Sequence, residues 1–128
     1  MRRTDLGYGP RKAALERCGF TCYEEYLRSD LWKRIRELVL MRDHGICSCC
    51  EGHATQVHHL SYGDVTLRGD CLDKLVAICR RCHLAVEFAG NGNKLPFAKA
   101  VRKHKKLRKH YEKRKRREAQ RLARELLS

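Results

Sequence analysis

Cys47-Ser48-Cys49-Cys50 and Ile78-Cys79-Arg80-Arg81-Cys82-His83 hold two cysteine pairs of the same form, Cys47-x2-Cys50 and Cys79-x2-Cys82, separated by 28 residues. A two-residue spacer lets both sulfurs of a pair face one ion, and zinc favours four thiolates at about 2.3 Å. The intervening segment is just long enough to make a hairpin that brings the pairs together. A core this small gains stability from such a staple, so a structural Zn2+ is expected on Cys47, Cys50, Cys79 and Cys82. Cys49 offers a second register for the first pair, but adjacent cysteines chelate poorly. Cys18, Cys22 and Cys71 are left over. Cys18 and Cys22 lie four apart and could share a helix face, but a second zinc needs two further ligands, so packing residues or free thiols is the reading for all three.

Around the pairs the pattern alternates between helix and strand signals. Thr21-Cys22-Tyr23-Glu24 has the form of a capping box opening a short helix through Leu27. Ser29-Asp30 caps a second helix with Leu31, Ile35, Leu38 and Val39 on one face, closing near Gly45, and Trp32 packs at its start. Gln56-Val57-His58-His59-Leu60 and Leu75-Val76-Ala77-Ile78 read as short strands flanking a loop over residues 62–73. Residues 80–89 read as a helix ended by Gly90-Asn91-Gly92-Asn93, and Pro96 starts a basic helical tail. There is no internal repeat. The expected division is an N-terminal segment 1–20, a zinc-stapled α+β unit 21–92 and the tail 93–128.

Adjacent histidines on a strand face opposite ways, so His58 and His59 have different roles. His83 follows Cys82, and Glu87 lies one helical turn further on the same face. One of the paired histidines with His83 and Glu87 makes a three-ligand site with open positions. Its nitrogen and oxygen donors suit Zn2+, Mn2+, Ni2+ or Mg2+ rather than calcium. The other histidine stays free, and an ordinary value near ~6.5 suits a general base.

Composition then narrows the partners. The chain has 128 residues, room for one small domain and an appendage, with 29 Lys and Arg against 15 Asp and Glu for a net charge of +14. Residues 98–128 hold 14 Lys and Arg and only 3 Glu, so the tail carries +11 and the body is nearly balanced. Between Arg102 and Arg117, eleven of sixteen positions are Lys or Arg. So dense a run repels itself and frays as an isolated helix, but it suits a phosphate backbone, and the expected partner is DNA, with RNA second. Lys103, Lys105, Lys106, Arg108, Lys109, Lys113, Arg114, Lys115, Arg116 and Arg117 are the candidate contacts, joined by Arg80 and Arg81 beside the second knuckle. The tail lacks the bulky apolar face that membrane-surface helices use, and no apolar run approaches a membrane span. Mean hydropathy is −0.65. Charge without a following apolar stretch at Met1-Arg2-Arg3 argues against a secretory leader, which makes a reducing, cytoplasmic compartment the expectation.

The combined motifs Cys47-x2-Cys50, Val57-His58-His59-Leu60, Tyr62, Leu72-Asp73-Lys74-Leu75 and Ile78-Cys79-Arg80-Arg81-Cys82-His83 resemble the zinc-knuckle branch of the HNH endonucleases. Tyr26-Leu27-Arg28-Ser29 with Trp32, and Arg42-Asp43-x-Gly45-x-Cys47, resemble the lead-in of small phage and bacterial members. The likeness runs from about Tyr26 to Glu87, roughly half the chain. It implies a ββα-metal fold, in which a hairpin and a helix clasp one divalent ion over the scissile phosphate. It also implies a metal-dependent DNA endonuclease, with His58 and His83 as metal ligands and His59 as the general base. Two positions depart from the family pattern. Its middle Asn, which orients the base, falls at Lys74, a residue that can instead contact the phosphate. Its last histidine falls at Glu87, a competent oxygen ligand. The competing reading is a noncatalytic zinc-knuckle protein binding DNA or RNA with a degenerate site. By family analogy alone, a phage packaging protein is a further partner, and the cell a bacterium or a phage-infected host.

Overall fold

A computed structural model of the chain describes residues 8–128. The run 1–7, where a leader was considered, lies outside them. Eight elements follow in order: α1 (Tyr8–Arg17), α2 (Tyr23–Arg28), α3 (Asp30–Arg42), β1 (Gln56–His59), α4 (Asp64–Leu67), β2 (Leu75–Ile78), α5 (Arg80–Glu87) and α6 (Phe97–Leu127). The class is α+β, with one two-stranded sheet.

Local sequence accounts for most boundaries. Ser29 Oγ accepts from the Trp32 amide at 3.1 Å and starts α3 as expected. Helix α3 closes where His44 and Gly45 turn left-handed, and the Gly45 amide reaches back to the Leu40 carbonyl at 2.9 Å. Its buried stripe is Trp32, Ile35 and Val39, while Leu38 is exposed, because it lies about 100° round the helix from Val39 and off that stripe. The start of α2 differs from the capping-box form: Cys22 occupies the cap without a side-chain bond, and the Thr21 amide donates to Glu25 instead of Glu24. The 62–73 connection is not all loop. Its one-turn helix α4 buries Thr66 and Leu67, and the Tyr26 hydroxyl donates to the Leu67 carbonyl at 2.8 Å. Helix α5 stops at Glu87, two residues early, because Phe88 turns extended and pairs with Lys94 across the glycine-rich turn.

Strands β1 and β2 are antiparallel in the register Gln56↔Ile78, Val57↔Ala77, His58↔Val76, His59↔Leu75. The hairpin divides two packed clusters. On one side, Tyr26, Trp32, Ile35, Val39, Val57, Leu67 and Leu75 join α1–α3 to the sheet. On the other, Cys47, Cys49, Ala54, Ala77, Ile78, Cys82 and Val86 form a second cluster, against which Leu107 and Tyr111 of α6 rest. Arg42 and Asp43 clamp the sheet to α3. The Arg42 guanidinium donates to the Leu72 and Leu75 carbonyls at 2.8 and 2.6 Å, and the Ala77 amide donates to Asp43 at 3.0 Å. The Arg42 guanidinium beside it, with that amide, holds the Asp43 carboxyl below its ordinary range.

One backbone position is set by close approach. Gly69 has φ +78°, and a Cβ there meets Ile35 Cγ1 at 2.8 Å. Gly69→Ala therefore combines left-handed strain with overpacking of the core. An equilibrium urea titration should show a loss of about 2 kcal/mol, with an unchanged slope.

Candidate metal centres

The first centre is built from two backbone knuckles. In the first, the Cys47 amide donates to the Gly52 carbonyl at 2.7 Å and the Glu51 amide to Cys47 at 3.0 Å, with Glu51 at φ 66° completing the turn. The Cys49 amide points at Cys47 Sγ and the Gly52 amide at Cys50 Sγ, both at 3.4 Å. In the second, Cys79 caps α5 and its sulfur accepts from the Cys82 amide at 3.4 Å. Such N–H···S contacts favour thiolates. All four sulfurs lie within 4.8 Å of one another, and Cys50 and Cys79 are 3.8 Å apart. Tetrahedral sulfurs at ~2.3 Å from one ion are separated by about 3.8 Å, so the donor set fits structural zinc. Burial pushes the Cys50 thiol up, but the Gly52 amide and the neighbouring cysteines outweigh it and bring it down to about 7. Arg81 is exposed and stands beside Cys50.

Cys49 does not join this set. It is buried, its thiol faces the His104 carbonyl at 3.9 Å, and burial pushes it up to about 12. Cys18 is half-buried beside the first cluster, and Cys22 and Cys71 are exposed. Among the described residues, none of the three belongs to a group of potential ligands.

The second centre lies between β1 and α5. His58 reaches it from the strand, and His83 and Glu87 come from successive turns of the helix, their ligand atoms within 4.8 Å of one another. Glu87 Oε2 is 3.3 Å from His83 Nε2 and 3.5 Å from His58 Nδ1. His83 Nδ1 contacts Gln56 Oε1 at 2.7 Å, which fixes the ring and leaves Nε2 facing the carboxylate. His58 is 1% exposed, and neither ring nitrogen has a hydrogen-bond partner; a cation held with His83 and Glu87 would satisfy Nδ1, the nitrogen that faces the carboxylate. His83 and Glu87 are 22% exposed, so the centre is open on one side. Burial raises the Glu87 carboxyl, but His58, His83 and the nearby Lys94 prevail and hold it well below the carboxylate range. The donor set of two imidazoles and one carboxylate suits a divalent transition metal.

His59 has a different setting. Its ring is stacked between Trp32 and Tyr62, with centroids 4.9 and 4.8 Å away, and it is 3% exposed. Nδ1 meets the Tyr23 hydroxyl at 3.3 Å, and Nε2 has no protein partner. The expectation of an unperturbed imidazole is corrected here: burial, and then the neighbouring His58, push it down to about 3. Lys74 is exposed, and its carbonyl accepts from the Leu60 amide at 2.7 Å beside the end of β1.

His104 was not anticipated. It comes from α6, is buried, lies 5.4 Å from the His58 ring, and its Nε2 contacts Ser48 Oγ at 3.0 Å. A signal was present: Ala100, His104, Leu107 and Tyr111 follow helical spacing, and all face the body. Of the candidate nucleic-acid contacts, Arg80 and most of the tail are exposed, whereas Lys103 donates to the Phe88 carbonyl and Lys115 pairs with Glu51 at 2.8 Å. No helix among the described residues is long and apolar enough to cross a membrane. No protein-family model matches the chain, and no curated protein matches it either.

Metal analysis of the purified chain tests the first centre. Cys50→Ser and Cys79→Ser are each expected to lose the zinc carried by the wild type and to melt well below it, since binding energy at such sites is folding energy. Cys49→Ser should keep the metal.

Proposed function

We propose that the chain is an HNH-type, metal-dependent endonuclease that hydrolyses phosphodiester bonds in DNA, its hairpin and α5 acting as the ββα-metal unit. The observation that carries this reading is the convergence of His58, His83 and Glu87 on one half-open point beside a four-cysteine set. His58, His83 and Glu87 would hold the divalent ion, which when bound would supply charge stabilisation for phosphodiester hydrolysis. His59 takes the proton of the attacking water. Lys74, at the exposed end of the hairpin, and Arg80 and Arg81 on the first turn of α5 meet the flanking phosphates.

Helix α6 supplies the grip. Its 31 residues span about 46 Å at 1.5 Å per residue, and it is anchored to the body through Ala100 and His104. Beyond Tyr111, Lys115 still pairs with Glu51, and Lys113, Arg114, Arg116 and Arg117 are exposed. That reach suits contacts with successive backbone phosphates without reading bases.

One observation favours a second reading. His59 is sealed within its aromatic walls, so it serves as a base only if the wall over Nε2 opens on DNA. A protein that never opens it is a noncatalytic zinc-knuckle binder of DNA or RNA. Supercoiled plasmid incubated with Mg2+, Mn2+, Ni2+ or Zn2+ separates the two. The nuclease nicks it, Glu87→Gln and His58→Ala each lower the rate by about 100-fold or more, and His59→Ala does the same with zinc content intact. Wild type that leaves the plasmid whole with every metal is the binder.

Affinity for duplex DNA should fall steeply with salt. Neutralising Arg114, Arg116 and Arg117 together to Gln should flatten the log–log slope by about 2.7, from ~0.9 per lost phosphate contact, in a fluorescence-anisotropy titration.

A further inference from the structure

Glu87 ends α5, and the chain then folds back on itself: Phe88 bridges to Lys94, and the Leu95 amide donates to the Glu87 carbonyl at 2.8 Å. Between this turn and the first turns of α6 lies an open cavity of about 440 Å³. Four cations line it, Lys99, Arg102, Lys103 and Lys106, against Gly90 and Leu95 of the turn, and no carboxylate does. Their spacing of three and four residues sets them on adjoining rows of the helix. Lys99 and Arg102 are not among the contacts expected from sequence.

Charges gathered in this way repel unless an anion joins them. Elsewhere the body meets its cations with carboxylates: Arg17 pairs with Asp64 at 2.7 Å, and Arg42 with Asp43 at 2.8 Å. Among the described residues, no carboxylate pairs with Lys99, Arg102 or Lys106. Glu87 directs its oxygens to Lys94, His58 and His83 instead. Lys103 is the fixed member of the four. It is half-buried and donates to the Phe88 carbonyl at 3.1 Å, which holds its ammonium at the wall with two N–H groups still to place. Arg102 adds a planar fork of donors. A group with several acceptor oxygens and a full negative charge answers such a set, and phosphate is that group.

The surroundings say which phosphate. Lys106 also begins a row that continues through Lys109, Lys113 and Arg116 at the same spacing. From Lys99 to Arg116 the row extends about 25 Å at 1.5 Å per residue. A free ion uses the cavity alone, whereas a polymer of phosphates uses the cavity and the row together.

We propose that the cavity seats one backbone phosphate of a nucleic-acid strand, which then follows the row along α6. The inference rests on the nucleic-acid part of the reading above and not on hydrolysis. Because the wall of the cavity is the turn that begins at Glu87, a phosphate seated there takes a fixed register relative to His58, His83 and Glu87.

NMR on the full, zinc-loaded chain tests this, with the Gly90 amide and the Arg102 Nε–H as reporters. Inorganic phosphate should shift both saturably in the wild type. Lys99→Gln with Arg102→Gln should weaken that binding, followed at Gly90, by about tenfold or more. Lys105→Gln with Arg108→Gln, an equal loss of charge on the same helix but outside the cavity, should leave it within about twofold. A short DNA duplex should displace the phosphate and move the same reporters, and the cavity pair should weaken duplex binding more than the control pair does. All four residues are exposed, and unchanged zinc content confirms that both variants fold. Shifts that never saturate, or equal losses in the two variants, mean diffuse charge only and overturn the site. A duplex that leaves Gly90 and Arg102 unmoved overturns the backbone as occupant, and so does an oligoglutamate peptide that binds there as tightly as the duplex. These titrations need no cleavage, so a plasmid left whole with every metal defeats the nuclease reading without deciding this one.

Discussion

Four sulfurs held within 4.8 Å of one another join residue 47 to residue 82, and the rest of the molecule is arranged around that closure. The hairpin has only four residues in each strand, too little to be stable on its own. Closing the chain at both ends of the hairpin removes much of the conformational freedom that so small a sheet cannot otherwise overcome. The second knuckle also starts α5, since Cys79 is its cap. The same closure therefore sets the position of the strand that carries His58 and of the helix that carries His83 and Glu87.

The hairpin then acts as a partition. Its period of two sends His58 toward α5 and α6 and His59 toward α3, although the two are neighbours in sequence. One imidazole meets a carboxylate and another imidazole at a half-open edge; the other is enclosed by Trp32, Tyr62 and Tyr23. His58 Nδ1 stands 3.5 Å from the Glu87 carboxylate, whereas burial and the neighbouring His58 push His59 down. Adjacent residues of one type thus acquire opposite chemistry from a single geometric rule.

Helix α6 is coupled to both centres through its first half. His104 touches Ser48 of the first knuckle and lies tilted against His58, and Leu107 and Tyr111 pack on the cysteine cluster. Its direction relative to the second centre is therefore set by packing within the body, while the charge runs along its whole length, with seven Lys and Arg before Tyr111 and seven after it. Repulsion among those cations is tolerable where solvent screens it, and Glu51 and the Phe88 carbonyl each hold one lysine near the body.

The spacing of the cysteines, the capping serine at Ser29, the alternation around His58 and His59 and the turn from His83 to Glu87 were all readable, because each is a local periodicity or a stereochemical rule confined to a few residues. Those rules determined the four-cysteine set, the order α2, α3, β1, β2, α5 and α6, and a ligand trio of His83, Glu87 and one of the two adjacent histidines, while α1 and the choice of His58 over His59 were not fixed by them. Contacts between distant segments were not readable. That α4 interrupts the 62–73 connection, that His104 returns from 46 residues downstream to lie beside His58, and that Tyr23 and Trp32 enclose His59 depend on how separate elements pack. Burial of an imidazole, and with it its protonation, is a property of the assembled walls, so only the tertiary structure could decide that His59 is enclosed while His58 stands beside a carboxylate.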